Sequence, residues 1–229
     1  RFGSWATDGV KGIHFTKERV RDQYANRFKI HFPNEERCAG RAVRTRPVYQ
    51  RQKDMGAVMG LNFGWEHPLW FADTRDTKDT DGFTRQNWWG PVGEECKMLR
   101  AKAGIIDISN FAKYRCKGAG AADWLNSVFA NKMPKSIGRS CLTPLIGKRD
   151  GIAGDFTVTR LAEDEFWIIG SGMAERYHKR FFNEVPLPKG TTFTSETVAM
   201  CGFNVAGPQS RAMLQSMTNT SFATDDFPF

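Results

Sequence analysis

The clearest alternation of apolar and polar residues in the chain lies within residues 150–172. From 156 to 161, large or β-branched apolar residues alternate with Thr and Arg, which is the period-two pattern of a half-buried strand. Residues 162–165 form a polar connection of hairpin length, and 166–169 form a second, wholly apolar strand. The pattern therefore predicts a β-hairpin.

Asp155 stands at the head of the first predicted strand, directly after Gly154. A carboxylate in that position can cap a turn through its own side chain. Alternatively, it is held beside an apolar pocket lined by Trp167 and Ile169, where it would meet a nitrogen atom of a ligand. The residues alone leave both interpretations open.

Periodicity and turn residues predict a mixture of helices and short strands along the rest of the chain, which indicates an α+β fold. The predicted segments are a basic, extended stretch to about residue 41 with a helix at 17–26 and a strand at 28–32, a helix at 48–59 closed by Gly60, an aromatic loop at 64–71, an exposed loop at 73–86, a helix at 92–103, two strands within 105–116 bent at 109–110, a helix at 120–130, and a strand–glycine–helix unit at 203–214.

Charge changes this picture only at the N-terminal end. The net charge is +8, yet residues 1–53 hold 13 Lys and Arg against 5 Asp and Glu, whereas residues 54–229 hold 20 of each. A basic arm can contact phosphates, but a solvated surface or a docking site for an acidic domain is more usual. We therefore expect no nucleic-acid partner.

The remaining chemistry is sparse. The five cysteines are widely spaced without C-x-x-C and the four histidines are scattered, so we expect a reducing compartment and no metal site. No apolar run is long enough to cross a bilayer, and we expect no membrane partner. The glycines at 118–120 lack the last glycine of a dinucleotide loop. The chain has no initial Met and stops abruptly, so we expect a piece of a longer protein.

Several motifs together resemble the aminomethyltransferase family, the T-protein of glycine cleavage. They are WWGPVGEECK at 88–97, IDISNFAKY at 106–114, the predicted hairpin, and VAGPQSR at 205–211. Two further motifs, EERCAGRAVRTRPVY at 35–49 and FGWEHPLWF at 63–71, are similar to the stretch that joins the flavin and folate halves of dimethylglycine and sarcosine dehydrogenases.

The resemblance implies a T-protein-like α+β fold with antiparallel sheets and flanking helices, preceded by an extended basic linker. It implies that residues 1–47 are a linker from the end of a flavin-dependent oxidoreductase half. Residues 48–229 would then be an aminomethyltransferase-like, folate-binding domain that is incomplete at its C-terminus. The location would be the bacterial cytoplasm or the mitochondrial matrix.

The function implied by the resemblance is one-carbon transfer from an iminium donor to tetrahydrofolate, giving 5,10-methylenetetrahydrofolate. The iminium would come from oxidation of an N-methyl amino acid of the dimethylglycine or sarcosine type. FAD is expected only in a covalently linked flavin half that precedes this chain, so these residues alone should not oxidise an amine. A non-catalytic scaffold of similar architecture, such as the regulatory subunit of pyruvate dehydrogenase phosphatase, is the alternative.

The resemblance also implies site residues. The family's essential folate-site aspartate falls on Asp155, whose carboxylate would engage the N10 region of the folate and help the amine attack the iminium carbon. The pterin-contact positions, each equally compatible with a place in the core, fall on Phe111, Leu142, Trp167 and Ile169. One departure is that Gly154 precedes a single acid, whereas T-proteins often carry paired acids there.

Overall fold

The computed structural model describes residues 9–147 and 151–226. Residues 1–8 of the predicted linker, Asp150 before the predicted hairpin, and the C-terminal residues 227–229 lie outside the described residues. The described elements, in chain order, are α1 (Gly9–Ala25), α2 (Tyr49–Asp54), β1 (Ala57–Asn62), β2 (Trp65–Phe71), α3 (Trp89–Ala101), β3 (Gly104–Asp107), β4 (Ala112–Lys117), α4 (Ala121–Val128), β5 (Ser140–Ile146), β6 (Ile152–Ala162), β7 (Glu165–Gly170), α5 (Glu175–Phe182), β8 (Thr192–Ser195), β9 (Phe203–Ala206) and α6 (Ser210–Gln215).

The chain divides into two compact units, and the first comprises residues 1–108 and 203–229. Its strands form two small antiparallel sheets, one of β1 with β2 and one of β3 with β9. The β1–β2 hairpin is held by a buried ion pair, because Arg41 donates to both carboxylate oxygens of Glu66 at 2.9 and 2.7 Å. Two further guanidinium groups lie over the ring of Trp65, that of Arg44 at 3.8 Å and that of Arg46 at 3.5 Å from its centroid.

The structure corrects several predictions in this unit. The helix predicted at 48–59 ends at Asp54, because Gly56 takes a left-handed φ of 91° that stops it, and Gly60 lies inside β1. The aromatic segment predicted as a loop is strand β2, which pairs with β1 along its length. Residues 28–32 form no strand. The helix predicted at 17–26 is confirmed as the second half of α1, which begins earlier, at Gly9, in a stretch predicted to be extended.

The second unit, residues 109–202, is built on one five-stranded sheet in the order β5-β6-β7-β4-β8. All neighbouring strands in it are antiparallel. The predicted hairpin is confirmed as β6 and β7, although β6 begins three residues before Asp155. The two strands predicted within 105–116 are confirmed as β3 and β4.

One face of this sheet is covered by α4 and α5. Every second residue of the central strands points towards these helices and is buried, as in Tyr114, Phe156 and Ile168, which are at most 1% exposed. The helices contribute Trp124 and Phe182 to the same cluster. Each such side chain stabilises the fold by about 1.5–3 kcal/mol, so this layer fixes the sheet and the residues on its other side.

Candidate functional site

The second face of the five-stranded sheet carries the residues that the sequence singles out. Because side chains alternate along a strand, the odd-numbered residues of β4, β6 and β7 lie opposite the buried layer. We call this side the open face. Its residues include Leu142 and Pro144 on β5, Asp155, Thr157 and Thr159 on β6, Trp167 and Ile169 on β7, and Lys113, Arg115 and Lys117 on β4.

The strand register arranges the open face in rows. One row is continuous across four strands, since Leu142 pairs with Thr157, Thr157 with Ile169, and Ile169 with Lys113. Leu142 is 73% exposed, so at the sheet edge this row offers an uncovered apolar surface. Leu142 and Ile169 therefore lie in one row on the same surface, on either side of Thr157, and the structure contradicts a core position for Leu142.

Asp155 lies one row further towards the end of the sheet, where it pairs with Pro144 of β5. It is exposed and occupies the fourth position of β6, so it neither heads the strand nor caps a turn. Rows on one face are spaced by two residues, or about 6.6 Å. The carboxylate of Asp155 therefore stands about one row from Ile169.

Phe111 belongs to the same end row as Asp155. Gly170, the last residue of β7, pairs with Phe156 on one side and with Ala112 on the other. Asp155 and Phe111 are the residues that directly precede these two partners, so they lie on either side of the chain that follows β7. Two strand spacings separate them, which is about 10 Å. Phe111 is 46% exposed, which again contradicts a purely structural place in the core.

Lys113 is a member of the open face that the sequence reasoning missed. It is only 4% exposed, because its ammonium group folds back and donates to the carbonyl oxygens of Ser109 and Phe111, both at 2.9 Å. These bonds hold the turn that carries Phe111. The alternation of basic and buried residues from Lys113 to Lys117 is visible in the sequence and was the signal available for this position.

Trp167 lies two rows from Asp155, or about 13 Å along the strands. Its ring is contacted by the guanidinium of Arg115 at 5.2 Å. Arg115 also forms an ion pair with Glu165, and Lys117 approaches the same carboxylate at 3.3 Å. The hydrogen bond from Lys117, with that from Arg115, lowers the pKa of Glu165. Trp167 is thus fixed within a charged network, further from Asp155 than Ile169 is.

Taken together, the open face offers an exposed carboxylate, an aromatic ring and an aliphatic row on one surface of a rigid sheet. Such a surface can pack a flat heterocycle and present a hydrogen-bond acceptor to its nitrogens. Across residues 9–147 and 151–226, no group of three or more His, Cys, Asp or Glu side chains is arranged to hold a metal ion. Among the same residues, no helix is both long and apolar enough to span a membrane.

The fold and the open face define an α+β domain of the aminomethyltransferase type. Residues 48–229 match the model of the GCVT N-terminal domain, and residues 1–45 match that of the FAD dependent oxidoreductase central domain. The chain therefore belongs to the GCVT N-terminal domain family. The solved aminomethyltransferase T of the glycine cleavage system from Bartonella henselae has this fold, with a TM-score of 0.62 and 23% identity over 76% of this chain and 44% of that one.

Two curated relatives are dehydrogenases. The chain is 31% identical to mitochondrial dimethylglycine dehydrogenase of Mus musculus and 26% identical to mitochondrial sarcosine dehydrogenase of the same organism, in both cases over its full length. It spans only 26% and 29% of the length of these relatives.

Proposed function

We propose that the open face binds tetrahydrofolate and that this domain transfers a one-carbon unit to it within a dehydrogenase of the dimethylglycine or sarcosine type. The observation that carries the proposal is the register. It brings Leu142 and Ile169 into one row on the side of the sheet away from the helices and places Asp155 beyond that row, while Phe111 comes one residue before β4 at the same end of the sheet. A scaffold has no need of an exposed carboxylate among exposed apolar side chains at this point.

The residues on the open face suit a folate. A pterin ring needs flat apolar contacts, which Ile169, Leu142 and Phe111 supply, and Trp167 adds an indole face further along β7. Tetrahydrofolate, when bound, supplies the N5 and N10 amines that accept the one-carbon unit, giving 5,10-methylenetetrahydrofolate. The proposal assigns the four apolar side chains to orientation of the ring and exclusion of water from it.

Asp155 has the chemical role in this proposal. Its carboxylate accepts the proton that an attacking amine must lose, and its negative charge favours a cationic iminium carbon nearby. Because Asp155 is held in a strand rather than a loop, the carboxylate has a defined direction before any ligand arrives. Preorganisation of this kind avoids reorganisation during the reaction.

The oxidation step is assigned to a flavin half that is covalently linked to this domain. The similarity of residues 1–45 to an FAD dependent oxidoreductase central domain supports this assignment. We propose that residues 1–47 link that half to residues 48–229 and that FAD binds in the flavin half. The cellular location would be a bacterial cytoplasm or the mitochondrial matrix.

The test uses the full-length, flavin-containing protein and its Asp155→Asn variant. Dimethylglycine or sarcosine is oxidised in the presence of tetrahydrofolate, and amine consumption and 5,10-methylenetetrahydrofolate are followed together. Loss of a proton acceptor costs about 100-fold or more in rate. We therefore expect the variant to oxidise the amine normally and to lose most of the transfer.

The matched control is Asp164→Asn, which makes the same chemical change in the turn between β6 and β7, away from the open face. This control should transfer at the wild-type rate. Transfer by Asp155→Asn at the wild-type rate would contradict the role of Asp155. If neither the wild type nor the variant binds a folate analogue, the scaffold function becomes the better explanation.

A further inference from the structure

His178 is a fully buried histidine that lies on the helix side of the sheet, under the start of β6. It belongs to α5 and is 1% exposed, and its ring meets that of Phe156 edge-on with 4.7 Å between the centroids. A helix that only had to cover the sheet needs an apolar residue here, as α5 has at Phe182 one turn further on. The imidazole therefore requires an explanation beyond packing.

The glycine before Asp155 is matched to this imidazole. A Cβ atom at Gly154 would stand 3.0 Å from Cδ2 of His178 and closer still to Nε2. Carbon atoms in good contact are about 3.5–4.0 Å apart, so a side chain at position 154 and the imidazole exclude each other. The presence of His178 therefore explains why a glycine, and not a second acid, precedes Asp155.

The two ring nitrogens of His178 have different surroundings. Burial, the largest effect, lowers the pKa of His178, whereas a hydrogen bond to the Ala153 backbone and the charge of Asp155 raise it. Only an acceptor stabilises the protonated ring, so the Ala153 group is its carbonyl oxygen. Nδ1 is buried without a hydrogen-bond partner among the described residues, whereas Nε2 is the ring atom that lies against Gly154.

Asp155 lies next to the end of the ladder between β6 and β7. Its partner on β5 is Pro144, whose carbonyl accepts a hydrogen bond from Ala130 and therefore faces away from β6. On the other side, β7 ends at Gly170, one step before the position opposite Asp155. The ladder between β6 and β7 therefore ends one residue before the position that the proposed chemistry uses.

We propose that His178 is a positioning residue that fixes residues 153–155 from the helix side and so holds the Asp155 carboxylate on the open face. The role rests on the proposed function. An unsatisfied buried Nδ1 destabilises the protein. Its retention beside the end of the β6–β7 ladder is explained if the contact between the ring and Gly154 maintains the geometry of transfer. His178 itself touches neither folate nor amine.

The experiment compares three variants of the full-length, flavin-containing protein with the wild type. His178→Leu removes both ring nitrogens, and His178→Gln keeps an N–H near the position of Nε2. Val158→Ala is the control, because it removes volume from the same strand and buried layer without touching residues 153–155. The readouts are the ratio of 5,10-methylenetetrahydrofolate formed to amine oxidised, the KM for tetrahydrofolate, and the thermal midpoint.

A displacement of about 1 Å at a reacting group costs on the order of 100-fold in rate. We therefore expect His178→Leu to lower the transfer ratio about tenfold or more, with the amine oxidation rate unchanged. His178→Gln should recover most of the ratio, and Val158→Ala should lower the thermal midpoint while keeping the ratio of the wild type.

An unchanged ratio in His178→Leu, or no recovery in His178→Gln, overturns the positioning role and leaves the proposed function intact. Absence of transfer by the wild type overturns both. A second measurement tests the contact itself. Gly154→Ala should destabilise the wild type more than it destabilises His178→Ala, in which only the Phe156 ring, 3.0 Å from the added Cβ, still opposes it. Additive costs in this double-mutant cycle also overturn the proposal.

Discussion

Gly172→Ala is the substitution that most directly tests how the turn at residues 109–111 is fixed. Gly172 follows β7, and a Cβ atom there would stand 2.9 Å from the carbonyl carbon of Asn110 and closer still to its oxygen. The obstacle is backbone, which cannot rotate away like a side chain. The turn is moreover fastened on both sides, by Lys113 through the Ser109 carbonyl and by Ser109 Oγ, which accepts the Gly202 N–H at 3.0 Å.

The magnitude follows from this geometry. Extra atoms in a packed site destabilise a protein by about 1–3 kcal/mol. Because the backbone of Asn110 is held in place and cannot move away, we expect Gly172→Ala to cost about 2–3 kcal/mol, the upper part of that range. With an m-value of about 2 kcal/mol/M, the urea midpoint should fall by about 1–1.5 M. Affinity for a folate analogue should fall as well, because Phe111 moves with the turn.

The control for this prediction is Gly151→Ala. A Cβ atom at that glycine meets nothing within 4 Å, and its φ lies outside the left-handed region. The substitution should therefore be neutral or stabilise by about 0.4–1 kcal/mol through the unfolded chain. A Gly172→Ala protein that unfolds within about 0.5 kcal/mol of the wild type would refute the close approach of the two backbone segments.

Two further predictions concern other parts of the chain. Glu66→Gln removes one partner of the buried ion pair with Arg41 and should lower the free energy of unfolding, measured by urea denaturation, by about 3 kcal/mol. The control is Glu94→Gln, which removes one partner of an exposed ion pair with Lys97 and should lower the same free energy by less than about 0.5 kcal/mol. Burial raises the pKa of the Cys116 thiol to about 12, so this thiol is protonated and unreactive at pH 8. Iodoacetamide at pH 8 should therefore modify exposed cysteines such as Cys38 and leave Cys116 unmodified until the protein unfolds. Peptide mass mapping of the alkylated protein measures both.

The central hairpin could be predicted because its signal is local. Alternation of large apolar with polar residues over β6 assigns a face to each side chain, whatever else the chain does. By contrast, the helical spacing of apolar residues at 48–59 was misleading. Pairing with the aromatic strand β2 outweighs that spacing, and the left-handed φ of Gly56 ends the helix early.

The candidate site could be predicted only in part. Alternation places Asp155 and Ile169 on faces of their own strands, but it carries no information on which strands are neighbours. The row shared by Asp155 and Phe111 depends on β7 lying between β6 and β4, which is a property of the register across three strands. His178 could not be predicted for a related reason. The sequence shows a single histidine in a helix but does not show that its ring packs against Gly154.

The interleaving of buried and open positions on the same strands has a consequence for how this protein can diverge. On β6 and β7, even-numbered residues such as Val158 and Ile168 hold the domain together, while odd-numbered neighbours such as Thr157 and Ile169 meet whatever lies on the sheet. Substitutions at alternate codons can therefore change the open face with little effect on folding. A deletion of one codon within β6 would exchange the two sets and destroy both properties at once.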